Sequence, residues 1–273
     1  MRYNFLGLLN RGGFGKIQLL YDNHLRRNVV MKSLLDPTSE NCERLIREGR
    51  ILLELKDQPH IVDLLAYNFD SRNPYLILPF YEDGTLQNFV GKTYWSNAMM
   101  MVQNLGAALR SIHSIDGIHR DVKPPNCFID VIPAGKMVKL GDFGFGRIPA
   151  PFTNSEITRH ACGTDGYIAP ELYRGAEFSP ECDIYSLGIT GIELITGSRN
   201  RQSISDAWFV NNEARALFLQ MTSSDPRKRP SADQVVERGR EIVERANKDF
   251  QSALTTLGLF AAGGLALNAL TSD

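Results

Sequence analysis

The stretch Gly117–Asp130, GIHRDVKPPNCFID, sets Asp121, Lys123 and Asn126 within six positions and follows them with apolar residues. Pro124 and Pro125 forbid both a helix interior and a central strand, so the segment reads as an irregular loop held between apolar flanks. Taken alone, a charged loop is most simply a solvated one. The three side chains nevertheless form a chemically coherent set. Asp121 can accept a hydroxyl proton, Lys123 is a point charge, and Asn126 is a neutral oxygen ligand.

Working outward, LGDFGFG places Asp142 between glycines sixteen residues after Asn126. Asn126 and Asp142 together suit Mg²⁺, which takes few protein oxygens and completes its shell with water and phosphate. Towards the N-terminus, LNRGGFGKI carries Gly12, Gly13 and Gly15 between two expected strands. Glycines there let backbone N–H groups approach a phosphate. VVMK then ends an apolar strand on Lys32, which needs an anionic partner if it faces inward, and Glu48 on the following helix is a candidate. Together these parts describe one reaction: phosphates under a glycine loop, a lysine on them, Mg²⁺ beneath, and a carboxylate facing a hydroxyl.

Periodicity divides the chain into two unlike parts. Tyr3–Leu9, Lys16–Tyr21 and Asn28–Leu34 read as antiparallel strands, followed by a helix over 40–56 that Pro59 should end. Strands are expected at His60–Phe69 and Pro74–Phe80, and Leu86 onward turns helical. Further helices are expected at Asn97–Asp116, Ser179–Thr196, Glu213–Thr222 and Ser231–Asp249. The expected class is α+β, with a small β lobe over 1–80, a hinge at 81–85 and a helical lobe over 86–246. A cleft between such lobes favours a small ligand.

Lysine plus arginine number 30 and aspartate plus glutamate 31, a balance that gives no sign of a general nucleic-acid binder. Four scattered cysteines form no CxxC pair, so reduced thiols in a cytosol are expected rather than a metal site. The N-terminus lacks the apolar run of a signal peptide. At the other end, 247–273 forms an apolar tail whose residues 254–270 carry no charge and just reach bilayer-spanning length. A tail anchor with Arg245 and Lys248 on its cytosolic flank and a terminal helix folded onto the second lobe both fit that composition.

In order, LNRGGFGKI, VVMK, Glu48, HRDVKPPN, DFG and the APE at 169–171 closely resemble the signature set of eukaryotic-type Ser/Thr protein kinases, from about Tyr3 to Ala246. The resemblance implies a two-lobed protein kinase fold, ATP and Mg²⁺ as cofactors, and a protein Ser or Thr as acceptor. It implies that Asp121 is the base, that Lys123 contacts the γ-phosphate, that Lys32 contacts the α- and β-phosphates and is held by Glu48, and that Asn126 and Asp142 bind metal. Leu9, Asn10, Gly12, Gly13, Phe14, Gly15, Ile17, Val30, Leu78, Pro79, Tyr81 and Phe128 would enclose the nucleotide. Leu78 would be the gatekeeper, while the Pro79 carbonyl and the Tyr81 N–H would meet the adenine. Thr164 would bond Asp121 and Lys123, as in Ser/Thr members.

By the same resemblance Asp183 would anchor the catalytic loop, Arg229 would pair with Glu171, and Leu52, Leu64, His119 and Phe143 would stack as a spine. Three positions depart from the pattern. Asn10 stands at the first glycine of the loop. His160 stands where many members carry a phosphothreonine, which turns attention to Thr153 and Thr158. The span before DPRKRP leaves little of helix G. The alternative to an active enzyme is a nucleotide-binding pseudokinase scaffold, which Asn10 and His160 favour.

Overall fold

The computed structural model describes residues 1–11, 15–70, 72–147 and 163–256. The chain opens with β1 (Tyr3–Arg11), β2 (Gly15–Asp22) and β3 (Arg27–Leu34), each close to its expected bounds. Helix α1 (Ser39–Glu54) starts at Thr38, whose hydroxyl accepts from the Asn41 N–H at 3.3 Å. It stops before Pro59 can act, because Asp57 takes a left-handed φ of 68°. Strands β4 (Ala66–Asn68) and β5 (Tyr75–Pro79) complete a five-stranded antiparallel sheet in the order β1-β2-β3-β5-β4.

The expected strand at His60–Phe69 is thus reduced to the three residues Ala66–Asn68. Its apolar start is used elsewhere: the Leu140 N–H donates to the His60 carbonyl at 2.8 Å, and the Val62 N–H to the Leu140 carbonyl at 3.0 Å. Ile61 and Val62 are buried by that crossing.

The helix expected from Leu86 is a single 3₁₀ turn, Leu86–Phe89, closed by Gly91 at a φ of 69°. Helix α2 (Trp95–His113) begins two residues earlier than expected. The catalytic-loop candidate is mostly irregular, as its prolines require, with one 3₁₀ turn at Pro124–Asn126. A hairpin of β6 (Cys127–Ile132) and β7 (Gly135–Leu140) follows, an element absent from the sequence reading. The turn residues Pro133 and Ala134, between runs that bury Cys127, Ile129, Val138 and Leu140, are the signal that could have found it.

The remaining elements are helical. Helix α3 (Pro180–Thr196) carries proline in its first turn and ends on Gly197 at a φ of 72°, the common asymmetry of helix ends. Helices α4 (Gln202–Asp206) and α5 (Asn212–Met221) fill the short span before DPRKRP. Helix α6 (Ala232–Thr256) starts with a reciprocal cap: the Gln234 N–H donates to Ser231 Oγ at 3.3 Å and the Ser231 N–H to Gln234 Oε1 at 2.9 Å. It extends past the expected Asp249, so residues 254–256 continue this helix. Among the described residues no helix is long and apolar enough to cross a membrane. The rest of 254–270 lies outside the described residues, as do Thr153, Thr158 and His160.

One core runs from Ile51 and Leu52 of α1 and Leu55 just after it through α2 and the β6–β7 hairpin into α3, α5 and α6. A much smaller cluster, Leu20, Val29 and Ile77, lies on the other face of the five-stranded sheet. Side chains alternate along β3, so Val30 and Lys32 share the face opposite Val29. Their cross-strand partners on β5 are Leu78 and Leu76.

Candidate active site

Lys32 reaches α1 from β3. Its Nζ lies 2.8 and 2.7 Å from the two Glu48 carboxylate oxygens and 3.0 Å from Asp142 Oδ1. Glu48 is only 2% exposed, which separates this pair from an ordinary surface ion pair. The approach of α1 depends on Gly49: a Cβ there would stand 2.6 Å from Phe69 and 2.7 Å from Leu76. Burial pulls the Lys32 ammonium towards neutrality, but Glu48 and Asp142 outweigh it and hold its pKa above the ordinary lysine value. The same ammonium lowers the Asp142 carboxyl to about 2, against the opposing effect of burial. Asp142 has a left-handed φ of 59°.

Asp121 is the centre of a second network. Lys123 Nζ lies 2.8 Å from its Oδ2, Thr164 Oγ1 donates to its Oδ1 at 2.9 Å, and Asn126 Nδ2 donates to Oδ2 at 3.0 Å and to its carbonyl at 2.8 Å. Lys123 also donates to Thr164 Oγ1 at 2.5 Å. With Nδ2 so committed, Oδ1 is the Asn126 atom left to act as a metal ligand. The Gly141 N–H donates to the Asn126 carbonyl at 3.0 Å, which sets Asn126 beside the residue preceding Asp142.

The loop is fastened from beneath by α3. Fully buried Asp183 accepts the His119 N–H at 2.9 Å on Oδ2 and the Arg120 N–H at 2.8 Å on Oδ1, and His113 Nε2 lies 3.0 Å from Oδ2. Burial pushes the Asp183 carboxyl up, but the His113 contact and the backbone donors bring it below the ordinary aspartate range. Arg120, at a φ of 70°, lies over Phe178 at 4.5 Å. Arg229 makes a bidentate pair with Glu171 at 2.6 and 2.7 Å. His119 and Phe143 meet edge to face at 4.8 Å, with buried Leu52 and half-buried Leu64 in the same core. The anchor and the pair expected from sequence are therefore brought together, and of the expected spine the His119–Phe143 contact is seen directly.

The proposed nucleotide walls are placed less tightly. Val30 and Leu78 pair across β3 and β5, Ile17 is half-buried, and Phe128 packs on Tyr81 at 5.4 Å. Pro79 is half-buried, Leu9 and Asn10 are exposed, and the β1–β2 register shifts between Leu8 and Asn10. Gly15 has a packing reason of its own, since a Cβ would meet the Ser33 carbonyl at 2.8 Å. Gly12, Gly13 and Phe14 lie outside the described residues.

Sequence reasoning missed His113, for which the helix pattern gives no signal. It also missed Glu193, whose carboxylate accepts the Tyr167 hydroxyl; a lone acid in the apolar run GITGIELIT was the available clue. Burial and that carboxylate push the Tyr167 hydroxyl well above its usual pKa, so it remains a donor.

Among the described residues no group of three or more His, Cys, Asp or Glu could hold a metal. Asn126 and Asp142 offer two oxygen donors of the kind Mg²⁺ takes when it draws its remaining ligands from phosphate and water. The protein kinase domain family matches residues 3–239 of this chain. Among curated proteins, the chain is 35% identical over 211 residues to the serine/threonine-protein kinase PknA of Mycobacterium tuberculosis, covering 72% of this chain and 47% of that protein. It is 31% identical over 220 residues to PknK of the same organism, covering 79% of this chain and 19% of that protein. It is 28% identical over 277 residues to pkn2 of Myxococcus xanthus, covering 99% of this chain and 33% of that protein. The chain thus spans less than half the length of these relatives. With the paired lysine, the anchored catalytic loop and the family match in hand, the chain belongs to the protein kinase family.

Proposed function

We propose that the chain is an active Ser/Thr protein kinase that transfers the γ-phosphoryl group of ATP to a protein serine or threonine, within a catalytic domain spanning residues 1–246. The observation that carries this reading is Asp121 held by both Thr164 and Lys123. A hydroxyl-bearing donor on one carboxylate oxygen fixes the orientation of the base, and the lysine keeps a positive charge beside it.

When bound, magnesium-ATP supplies the γ-phosphoryl group and neutralises part of the phosphate charge. The chain's own residues do the rest. Asp121 accepts the proton of the substrate hydroxyl as that oxygen attacks. Lys123 turns from Asp121 towards the γ-phosphate and offsets developing negative charge. Lys32, kept protonated by Glu48 and Asp142, contacts the α- and β-phosphates. Asn126 and Asp142 would hold the metal, and Thr164 keeps the base aligned.

Leu9, Asn10, Gly12, Gly13, Phe14, Gly15, Ile17 and Val30 form the proposed nucleotide roof. Leu78, Pro79 and Tyr81 form its hinge edge and Phe128 its floor. Asn10 on an irregular stretch of β1 is compatible with that roof, because asparagine tolerates unusual backbone angles. The test is incubation with γ-labelled ATP and a denatured mixed protein acceptor, followed by phosphoamino-acid analysis. Phosphoserine and phosphothreonine without phosphotyrosine is the expected result. Phosphotyrosine alone, or no transfer, contradicts the proposal.

A further inference from the structure

Helix α6 buries one stripe against the main core and then outruns it. Val235 and Ile242 are buried in that core, and Val243 and Ala246 pack on its margin. Phe250, one helical turn beyond Ala246 on the same face, is instead 55% exposed, and the helix runs on to Thr256. A second apolar group faces outward at the start of α5. The loop between α4 and α5 buries Ala207 and Val210 but presents Trp208, 88% exposed, and Phe209, 44% exposed, with their rings edge to face at 6.1 Å. Arg215 of α5 braces this loop, donating from Nη2 to the Ala207 carbonyl at 2.7 Å and to the Val210 carbonyl at 3.1 Å. The two aromatics are therefore held outward by a fixed backbone rather than by any contact of their own with the core.

Both groups border one cleft of about 250 Å³. Asn211, Asn212 and Glu213 line one wall, and Arg245, Ala246 and Asp249 of α6 line the other. Phe250 adjoins Asp249 in the chain, and Trp208 and Phe209 lead into Asn211. Arg245 donates to Glu213 at 2.5 Å, so two of the three charges of the cleft neutralise each other. Exposed apolar groups gathered around a cleft mark a surface that is covered by something.

We propose that residues 257–270 of the same chain fold back over this cleft and cover Trp208, Phe209 and Phe250. The segment carries no charge, and its Leu257, Leu259, Phe260, Leu265, Leu267 and Leu270 supply the apolar surface the three aromatics lack. It also begins within reach. Thr256 lies about 10 Å along the helix from Asp249, and Gly258 just beyond it is the residue type that lets a helix stop and its chain reverse. Residues 257–270 span about 45 Å when extended, which exceeds the return to the cleft plus the roughly 11 Å at most from Asn211 to Trp208. A tether this short gives the segment an effective concentration on the order of millimolar, which favours it over a second copy of the chain. Two carboxylates against one arginine in the cleft oppose an anionic lipid surface as the cover. None of this depends on the kinase reading.

The chain has two tryptophans, and Trp95 is buried, so acrylamide quenching compared between wild type and Trp208→Phe isolates the emission of Trp208 in the full chain. In detergent-free buffer wild type is expected to sediment as a monomer with Trp208 protected to the same extent at low and high protein concentration. The double variant Phe260→Asp with Leu265→Asp places charge in the covering segment and leaves the packed lobes untouched. It is expected to raise the Trp208 quenching constant severalfold. Phe250→Ser, on the other side of the contact, is expected to raise it by less, because two of the three aromatics remain.

Equal quenching of Trp208 in wild type and the double variant overturns the proposal. So does protection that grows only as the chain dimerises, which gives the surface to a second copy. A wild type recovered only with detergent or lipid vesicles overturns it as well, because the segment then belongs to a membrane.

Discussion

The two halves of the site are held by different physics. On the sheet side, Lys32, Glu48 and Asp142 are joined by long side chains that reach across β3, α1 and the segment after β7, over a sheet whose far face buries only a small apolar cluster. On the helical side, Asp121 and its neighbours hang from buried Asp183, which is rooted in α3 within the main core. The first arrangement depends on charge and can be remade by small shifts of a helix. The second is part of the packed interior. Substitutions in the first should therefore alter catalysis with little change in stability, whereas the anchor of the second should alter both.

The largest expected effect is at the point the two halves serve. Asp121→Asn should lower phosphoryl transfer by about 10²–10⁴-fold, with nucleotide affinity nearly retained, as read by initial rates and by nucleotide titration. Next is the anchor. Asp183→Asn weakens buried acceptors for two backbone N–H groups and the His113 contact, and should cost about 1–3 kcal/mol in denaturant unfolding together with activity. Glu48→Gln sharpens the contrast. Lys32 keeps Asp142 and the neutral amide carries no buried charge to desolvate, so stability should fall by less than in Asp183→Asn while kcat/KM falls about 10–100-fold because the lysine is displaced. Equal stability losses in these two variants would break the comparison.

Gly49→Ala tests how α1 is seated. Its Cβ has no room against Phe69 and Leu76, and overpacking of this kind should cost about 1–3 kcal/mol and carry Glu48 away from Lys32. The smallest effect is in pH dependence. Asp183 has a folded pKa below its unfolded value, so its contribution is fully present above about pH 4 and is lost as pH falls through the folded pKa. The stability gap between wild type and Asp183→Asn, measured by thermal melts, should accordingly narrow below about pH 4 and stay constant from there to neutrality.

How much was legible in the sequence follows the same division. The charged side chains of the site were readable because their types and spacing are tied to a reaction, and the structure brings Lys32 to Glu48, Thr164 and Lys123 to Asp121, and Arg229 to Glu171. Long periodic helices such as α3 were readable from apolar spacing with proline and glycine at their ends. Local pattern failed where a tertiary partner overrode it. The apolar run from His60 looked like a strand, but Leu140 took its backbone groups. Contacts such as His113 on Asp183 and Arg199 on Glu193 join residues whose sequence neighbours say nothing about their meeting.

The most direct test of the central claim is the initial rate of γ-phosphoryl transfer from ATP to a protein acceptor, measured side by side for wild type and Asp121→Asn at saturating Mg²⁺. The account requires measurable transfer by wild type and a loss of about 100-fold or more in the variant. Equal rates, or a wild type that binds nucleotide yet transfers nothing, would contradict it.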